Sequence, residues 1–477
     1  MERDELLSLE EAVHRLGTTR PTLYRWLQGG RLRGIKVGRQ WRFRPEDLEQ
    51  FLAGEALRID APVDPAPLIR DLAARPGGGN GAGGDVPPVR RCVDLMISTA
   101  LAARASDLHL SPLRRPGDDV PVGSLRLRID GALQPWAECD VRLLPALIDQ
   151  WKALAGCDLH LRSRPQAGRL THDAAVFRLA FTPTVLGEAL AMRILEGKEG
   201  DMSLDALGFA AADLDRLRRQ LRSPFGLVVV TGMTGSGKTT TLYSCLREAA
   251  GPGNMVVTIE DPVELALPGV VQIQADADAG MSFPAGLRAI MQSDPDIVLV
   301  GEIRDAETLT LVQQLAATGH VVMTALHTDD AASALLRMVE VGGNAFLTSD
   351  ATRAVVAQRL VRKLCLACRR PAKPDPALLA EARRVATFAW DSLPGDFREP
   401  AGCAECAGIG YRGRTILAEV LVMSSALRAA LLRGAGREEL RAIAVGEGMT
   451  PIASHGILRA ARGEVSLGEV LGALAIA

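Results

Sequence analysis

Leu227-Val-Val-Val-Thr-Gly232-Met-Thr-Gly-Ser-Gly-Lys-Thr-Thr240 decides the fold. A β-branched apolar run ends in Gly-x-x-x-x-Gly-Lys-Thr, and the segment Thr239–Glu248 continues with a helical pattern. Strand, glycine-rich turn and helix in that order make a phosphate-binding loop. The glycines let the backbone wrap so that N–H groups face phosphate oxygens, and the helix N-terminus adds the positive end of its dipole. Gly232, Thr234, Gly235, Ser236, Gly237, Lys238, Thr239 and Thr240 are the expected ATP contacts. Lys238 is expected to reach the β- and γ-phosphates and Thr239 to hold Mg²⁺.

Working outward, Asp294-Pro-Asp-Ile-Val-Leu-Val-Gly-Glu302 is a second apolar strand ending in a carboxylate, which makes Glu302 a candidate Mg²⁺ ligand, directly or through water. Thr258-Ile-Glu-Asp-Pro-Val-Glu264 follows another β-rich run. Open α/β sheets bind ligands at the carboxyl ends of their strands. Glu260 and Glu264 are therefore both candidates to orient or deprotonate the attacking water. His320 and His327 flank one more strand and are candidates to sense the γ-phosphate or a neighbouring subunit.

A net charge of −2 excludes a chain that is polybasic throughout, so any nucleic-acid surface must be local. No apolar run reaches the ~18–20 residues that span a bilayer, and Met-Glu-Arg-Asp-Glu at the start is no secretory signal. The expected location is the cytoplasm. Residues 1–53 read as one unit, 54–88 as a flexible Pro/Gly/Ala-rich linker, 89–200 as a small α+β domain and 201–477 as a parallel α/β domain.

Two Cys-x-x-Cys pairs, Cys365/Cys368 and Cys403/Cys406, offer four thiolates suited to tetrahedral Zn²⁺. The interval 369–402 exceeds that of a zinc ribbon, and four reduced thiols are the alternative.

Near the N-terminus, Ser8-Leu-Glu-Glu11 is a capping box opening a helix that Gly17 ends. Thr18-Thr19 and Pro21 open a second helix, and Ile35–Phe43 reads as a strand-turn-strand wing before a last helix, Glu46–Leu52. Between Arg20 and Arg44 there are eight Arg or Lys and no Asp or Glu. Arg20, Thr22, Tyr24 and Arg25 are candidates for a major groove, and Arg39, Arg42 and Arg44 for the DNA backbone. A protein-docking role for the same fold stays open.

These motifs, in this order, resemble the assembly ATPases of type II secretion and type IV pili, the GspE/PilB-type superfamily. The likeness rests on the phosphate loop, an Asp box (Thr258–Glu264), a Walker B strand ending Gly-Glu-Ile-Arg-Asp305 and a His box (Thr318–Thr328). Ser106-Asp-Leu-His109, Leu127-Arg-Ile-Asp-Gly131 and Pro165-Gln-Ala-Gly-Arg169 also match, while Ser111 stands where the family carries Glu. The resemblance implies a PAS-like α+β domain and a RecA-like ATPase domain carrying a zinc-binding insertion at 360–415. It implies Arg169, Arg178 and Arg193 as arginines facing nucleotide. It also implies a homo-hexamer that hydrolyses ATP with Mg²⁺, peripheral to the inner membrane and partnered by its platform protein, to drive pilin or pseudopilin assembly. The N-terminal unit resembles the excisionase/MerR-like winged helix-turn-helix. A DNA-binding regulator whose ATPase controls that unit is the second reading.

Overall fold

The computed structural model describes residues 6–28, 32, 34–37, 40–52, 59, 61–79, 86–172, 175–195, 203–277, 279–342, 344–386, 390 and 393–475. The chain divides into two units, Met1–Lys198 and Glu199–Ala477. Among the described residues no helix is long and apolar enough to cross a membrane.

In the first unit, the helices Leu9–Arg15, Arg20–Gln28 and Pro45–Leu52 accompany a three-stranded antiparallel sheet. Its order is Leu7–Ser8, Gln40–Phe43, Ile35–Val37. The first helix begins where Ser8 accepts from the Glu11 N–H and Glu11 accepts from the Ser8 N–H, so two orphan donors are satisfied reciprocally. Gly17 leaves it at φ +57°. Ala12, Leu23, Leu27, Leu32, Phe43 and Leu48 close a small core.

The stretch 54–88, expected as flexible throughout, is partly built. Ala66–Ala73 is a helix whose Leu68 and Leu72 are buried. Gly77 sits at φ +79°, and a Cβ on Gly78 would lie 2.3 Å from the Leu72 carbonyl. Leu68 and Leu72, at i and i+4, form an apolar stripe that the Pro/Gly/Ala composition concealed.

Residues 86–195 form a six-stranded antiparallel sheet with the helices Pro88–Ala102 and Leu144–Ala155. The strand order is Ala132–Asp140, Val122–Ile129, Ala105–Leu113, Gly187–Leu195, Ala175–Thr184, Gln166–His172. Leu108, Leu110, Leu125, Leu127, Phe177, Leu179, Leu190 and Met192 alternate inward and are buried. The opposite face carries His109, Arg126, Arg128, Arg178 and Arg193 among small residues such as Ala180 and Ala191.

The second unit is built on a seven-stranded sheet in the order Val271–Gln274, Val256–Glu260, Ile297–Val300, Val321–Leu326, Gly226–Thr231, Thr352–Leu364, Tyr411–Val422. All neighbours are parallel except the last pair, which is antiparallel. Leu227 and Val229 enter one core, Val228 and Val230 another. A strand buried on both faces reads as an unbroken apolar run, which is how Leu227–Val230 reads. Because the central strands are parallel, their carboxyl ends share one edge, and that edge gathers the site.

Candidate nucleotide site and cysteine cluster

The strand Gly226–Thr231 delivers the chain into Gly232, and the helix Lys238–Ala249 takes it away, with Gly237 as N-cap at φ +88°. A Cβ on Gly232 would lie 2.4 Å from the Gln358 carbonyl oxygen, so the loop lies directly on the neighbouring strand. Lys238 is half-buried and folds over the loop, donating to the carbonyls of Gly232 at 2.7 Å and Met233 at 3.2 Å. Burial depresses its ammonium below the usual lysine range, and the nearby Glu302 partly offsets this. Thr239 stands half-buried in the first turn of the helix, while Thr234, Gly235 and Thr240 are exposed.

The strand Ile297–Val300 brings Glu302 to the same edge, and Val321–Leu326 brings His327. The His327 ring stands between two charges, with Nδ1 3.4 Å from Lys238 Nζ and Nε2 3.1 Å from Glu302 Oε2. This suits a neutral ring that accepts from the ammonium and donates to the carboxylate. Arg304 grips Glu302 and reaches Asp261 Oδ2 at 3.1 Å. Burial pushes the Glu302 carboxyl up, but hydrogen bonds from His327 and Arg304 and the charge of Arg304 outweigh it and hold it below the usual range.

Glu260 ends the strand Val256–Glu260 and is buried. Its carboxylate accepts from the Tyr243 hydroxyl, from Thr258 Oγ1 at 2.6 Å and from Gln272 Nε2 at 3.2 Å. Burial, with the hydrogen bond and charge of Glu260, raises the Tyr243 phenol well above its ordinary value. Glu264 is exposed in the loop beyond.

His320 does not join this cluster. It precedes the strand Val321–Leu326 and His327 follows it, so about 20 Å of strand separates them. His320 Nδ1 lies 3.0 Å from the Leu315 carbonyl, and its own carbonyl accepts from Gly226 at the start of the phosphate-loop strand. Its expected role at the phosphate edge is corrected on that ground.

In the first unit the sheet register sets Arg169 opposite Arg178, Arg178 opposite Arg193, Arg193 opposite Asp107 and Asp107 opposite Arg128. Arg169, Arg178 and Arg193 are exposed. Asp107 meets Arg193 at 3.1 Å and Arg128 at 3.7 Å. Like charges directly opposite across strands are destabilising, so a row of arginines in register is a cost the fold carries.

The four cysteines converge. Cys365 and Cys368 follow the strand Thr352–Leu364, and Cys403 and Cys406 precede its antiparallel partner Tyr411–Val422. The pairing of Leu364 with Tyr411 closes the long sequence interval. All four sulfurs lie within 4.8 Å of one another. Sγ–Sγ distances are 3.9 Å for Cys365–Cys403, 3.8 Å for Cys368–Cys406 and 3.7 Å for Cys403–Cys406. Tetrahedral zinc with Zn–S near 2.3 Å requires edges of about 3.8 Å, so the cluster fits Zn²⁺. The backbone N–H groups of Cys403 and Gly410 point at Cys406 Sγ, at 3.2 and 3.1 Å. Burial acts to raise the Cys406 thiol, but these donors and the neighbouring sulfurs bring it down to about 7.

In the helix-turn-helix, Tyr24 is 41% exposed, Arg20 pairs with Glu10, and Thr22 Oγ1 lies 2.9 Å from Thr19 Oγ1. Arg42 donates to Gln40 at 3.0 Å, and Arg44 is half-buried. Arg39 and the side chain of Arg25 lie outside the described residues.

Sequence reasoning missed Tyr243, Gln272, Arg304 and Gln358. Arg304 had a signal in Gly-Glu-Ile-Arg-Asp, whereas the other three reach the site only through tertiary pairing.

A family model described as type II/IV secretion system protein matches residues 83–472, and one described as helix-turn-helix domain matches 6–56. The chain is 38% identical over 391 residues to the type IV pilus assembly ATPase PilB of Thermus thermophilus, covering 81% of this chain and 43% of that protein. The match thus spans less than half of that relative. It is 34% identical over 432 residues to the putative type II secretion system protein E of Escherichia coli, covering 89% and 82%. It is 36% identical over 417 residues to the type II secretion system protein HxcR of Pseudomonas aeruginosa, covering 87% and 81%. Among solved structures, the Legionella pneumophila ATPase DotB superposes with a TM-score of 0.59 at 20% identity, covering 81% of this chain and 95% of that one. The pilus retraction motor PilT with bound ADP gives 0.53 at 21%, covering 79% and 95%. At these identities the two structures speak for the fold.

Proposed function

The chain belongs to the type II/IV secretion system protein family, and we propose that it is a motor ATPase assembling pilin or pseudopilin subunits. The observation that carries this is the row Lys238, His327 and Glu302 at the carboxyl edge of a parallel sheet, beside a complete phosphate loop. Backbone N–H groups of Gly232–Thr240 bind the phosphates, and Lys238 exchanges its loop carbonyls for β- and γ-phosphate oxygens. Thr239 and Glu302 would hold Mg²⁺, which neutralises phosphate charge when bound. Glu260 is the proposed base. A carboxylate offers about four acceptor positions, and three donors leave one for water. Water attacks the γ-phosphorus, its proton passes to Glu260, and the bond from γ-phosphorus to the bridging oxygen of ADP breaks. Glu264, exposed and outside that donor set, is the weaker candidate.

The arginine row is proposed to receive phosphoryl charge in an assembled homo-hexamer, where paying for like charges in register has a return. The six-stranded domain is read as PAS-like. The working place is the cytoplasmic side of an inner membrane, against a platform protein. We read the helix-turn-helix as a docking module, because Arg20 shares its charge with Glu10, and DNA binding is the alternative outcome of its test.

Lys238→Ala tests the whole reading. Hydrolysis is expected to fall below detection with the melting temperature within a few degrees of wild type, since Lys238 contributes two loop hydrogen bonds and a longer one to His327. Full activity in that variant would sink the site assignment.

A further inference from the structure

We infer that Gln358 is a positioning residue for the nucleotide phosphates, setting the orientation of the loop peptide that joins Ser236 to Gly237. This rests on the ATPase reading above. Gln358 lies on the strand Thr352–Leu364, which runs parallel to the phosphate-loop strand with Ala357 paired to Thr231. The next residue therefore extends past the end of the loop strand and under the loop itself. The residue is 1% exposed, and its side chain is hydrogen-bonded at both ends. Nε2 donates to the Ser236 carbonyl at 2.8 Å, and Oε1 accepts from Thr241 Oγ1 at 2.8 Å.

A planar trans peptide holds its C=O and N–H antiparallel. Fixing the Ser236 carbonyl toward Gln358 therefore turns the Gly237 N–H away from that strand, toward the open side of the loop. Thr241 donates to the amide oxygen, and a flipped amide would set that oxygen against the Ser236 carbonyl and lose the bond there. The loop is moulded to this contact. A Cβ on Gly237 would lie 3.2 Å from Gln358 Nε2 at φ +88°, and one on Gly232 would lie 2.4 Å from the Gln358 carbonyl oxygen. One residue supports the loop with its backbone at Gly232 and with its side chain at Ser236. A glutamine serves because the position needs a donor and an acceptor at once. Methionine fills the space and offers neither, and ionised glutamate accepts but does not donate.

The test uses the full chain with Mg²⁺. ADP binding is measured by calorimetry and ATP hydrolysis by steady-state kinetics. Gln358→Met is expected to weaken ADP binding and raise the ATP KM about tenfold, with kcat within about twofold, because an oriented N–H binds ground and transition states alike. Gln358→Glu is expected to behave similarly at high pH. Its affinity should recover as pH falls, since a protonated carboxyl donates to Ser236 and accepts from Thr241. A residue that merely filled the core would change the melting temperature without that pH-dependent rescue. Folded Gln358→Met with ADP affinity within twofold of wild type, or Gln358→Glu with no rescue, overturns the inference. Should Gln358→Met fail to fold, Thr241→Val removes only the hydroxyl that locks the amide and is expected to weaken ADP binding about threefold. No weakening there overturns it as well. Failure of the ATPase reading is separate, because wild type itself would then bind no nucleotide.

Discussion

Glu260→Gln is the sharpest probe of the chemistry. The substitution keeps the shape of a buried side chain that accepts from Tyr243, Thr258 and Gln272. Tyr243, which donates to Oε2, can still donate to an amide oxygen placed there, and Thr258, which donates to Oε1, can turn its hydroxyl to accept from the new NH₂, but neither bond is charge-assisted and each loses about 1 kcal/mol. The new NH₂ faces the Gln272 NH₂ and forfeits that bond, at about another 1 kcal/mol. Removing a charge from a buried position returns part of this sum. The net change in stability is therefore held to about 2 kcal/mol, or roughly 4–8 °C in melting temperature for a unit of this size. A positioned general base contributes about 10²–10⁴-fold in rate, equal to about 3–5 kcal/mol of barrier. The expected result is a kcat lowered at least a hundredfold in a folded protein, with ADP affinity unchanged by calorimetry. Glu264→Gln, altering an exposed loop carboxylate, is expected to retain kcat within about threefold. If Glu264→Gln stops turnover while Glu260→Gln spares it, the argument from donor count and orientation is wrong.

The cysteine cluster should carry about one zinc per chain, read by metal analysis after gel filtration. Cys403→Ser should lose that zinc and lower the melting temperature, and a wild-type protein that is fully stable without zinc would refute a structural role. For the helix-turn-helix, titration of the full chain into duplex DNA at about 150 mM salt is expected to show no saturable binding. Binding that weakens steeply between about 50 and 200 mM salt would make it a phosphate-gripping module instead. In that case Glu10→Gln, which releases Arg20 from its ion pair, should tighten it.

The phosphate loop was legible because its constraints are local. Gly232 and Gly237 are forced by positive φ and close approach, and Lys238 and Thr239 follow from the helix start. The capping box at Ser8 is local in the same way. Glu302 and Glu260 were legible one step further out, as polar ends of apolar strands. His320 shows where that step needs a second one. Both histidines bound the same strand, but in a parallel sheet only its carboxyl end meets the loop, so polarity alone separates His327 from His320.

The remaining pieces depend on register, which sequence spacing does not supply. Tyr243 comes from the phosphate-loop helix and Gln272 from the edge strand, and they meet on Glu260 because Val256–Glu260 lies between those elements in the sheet and its packing. The row Arg169, Arg178, Arg193 exists only once three strands are aligned. Gln358 sits in Thr-Arg-Ala-Val-Val-Ala-Gln-Arg-Leu, an ordinary strand in every local respect except that its one buried amide falls beyond the last residue of the strand beside it. An apolar residue there would satisfy the strand pattern and leave the Ser236 carbonyl without its donor. The polar choice goes against local propensity and is explained only by the loop above it, as expected where function rather than folding has selected a side chain.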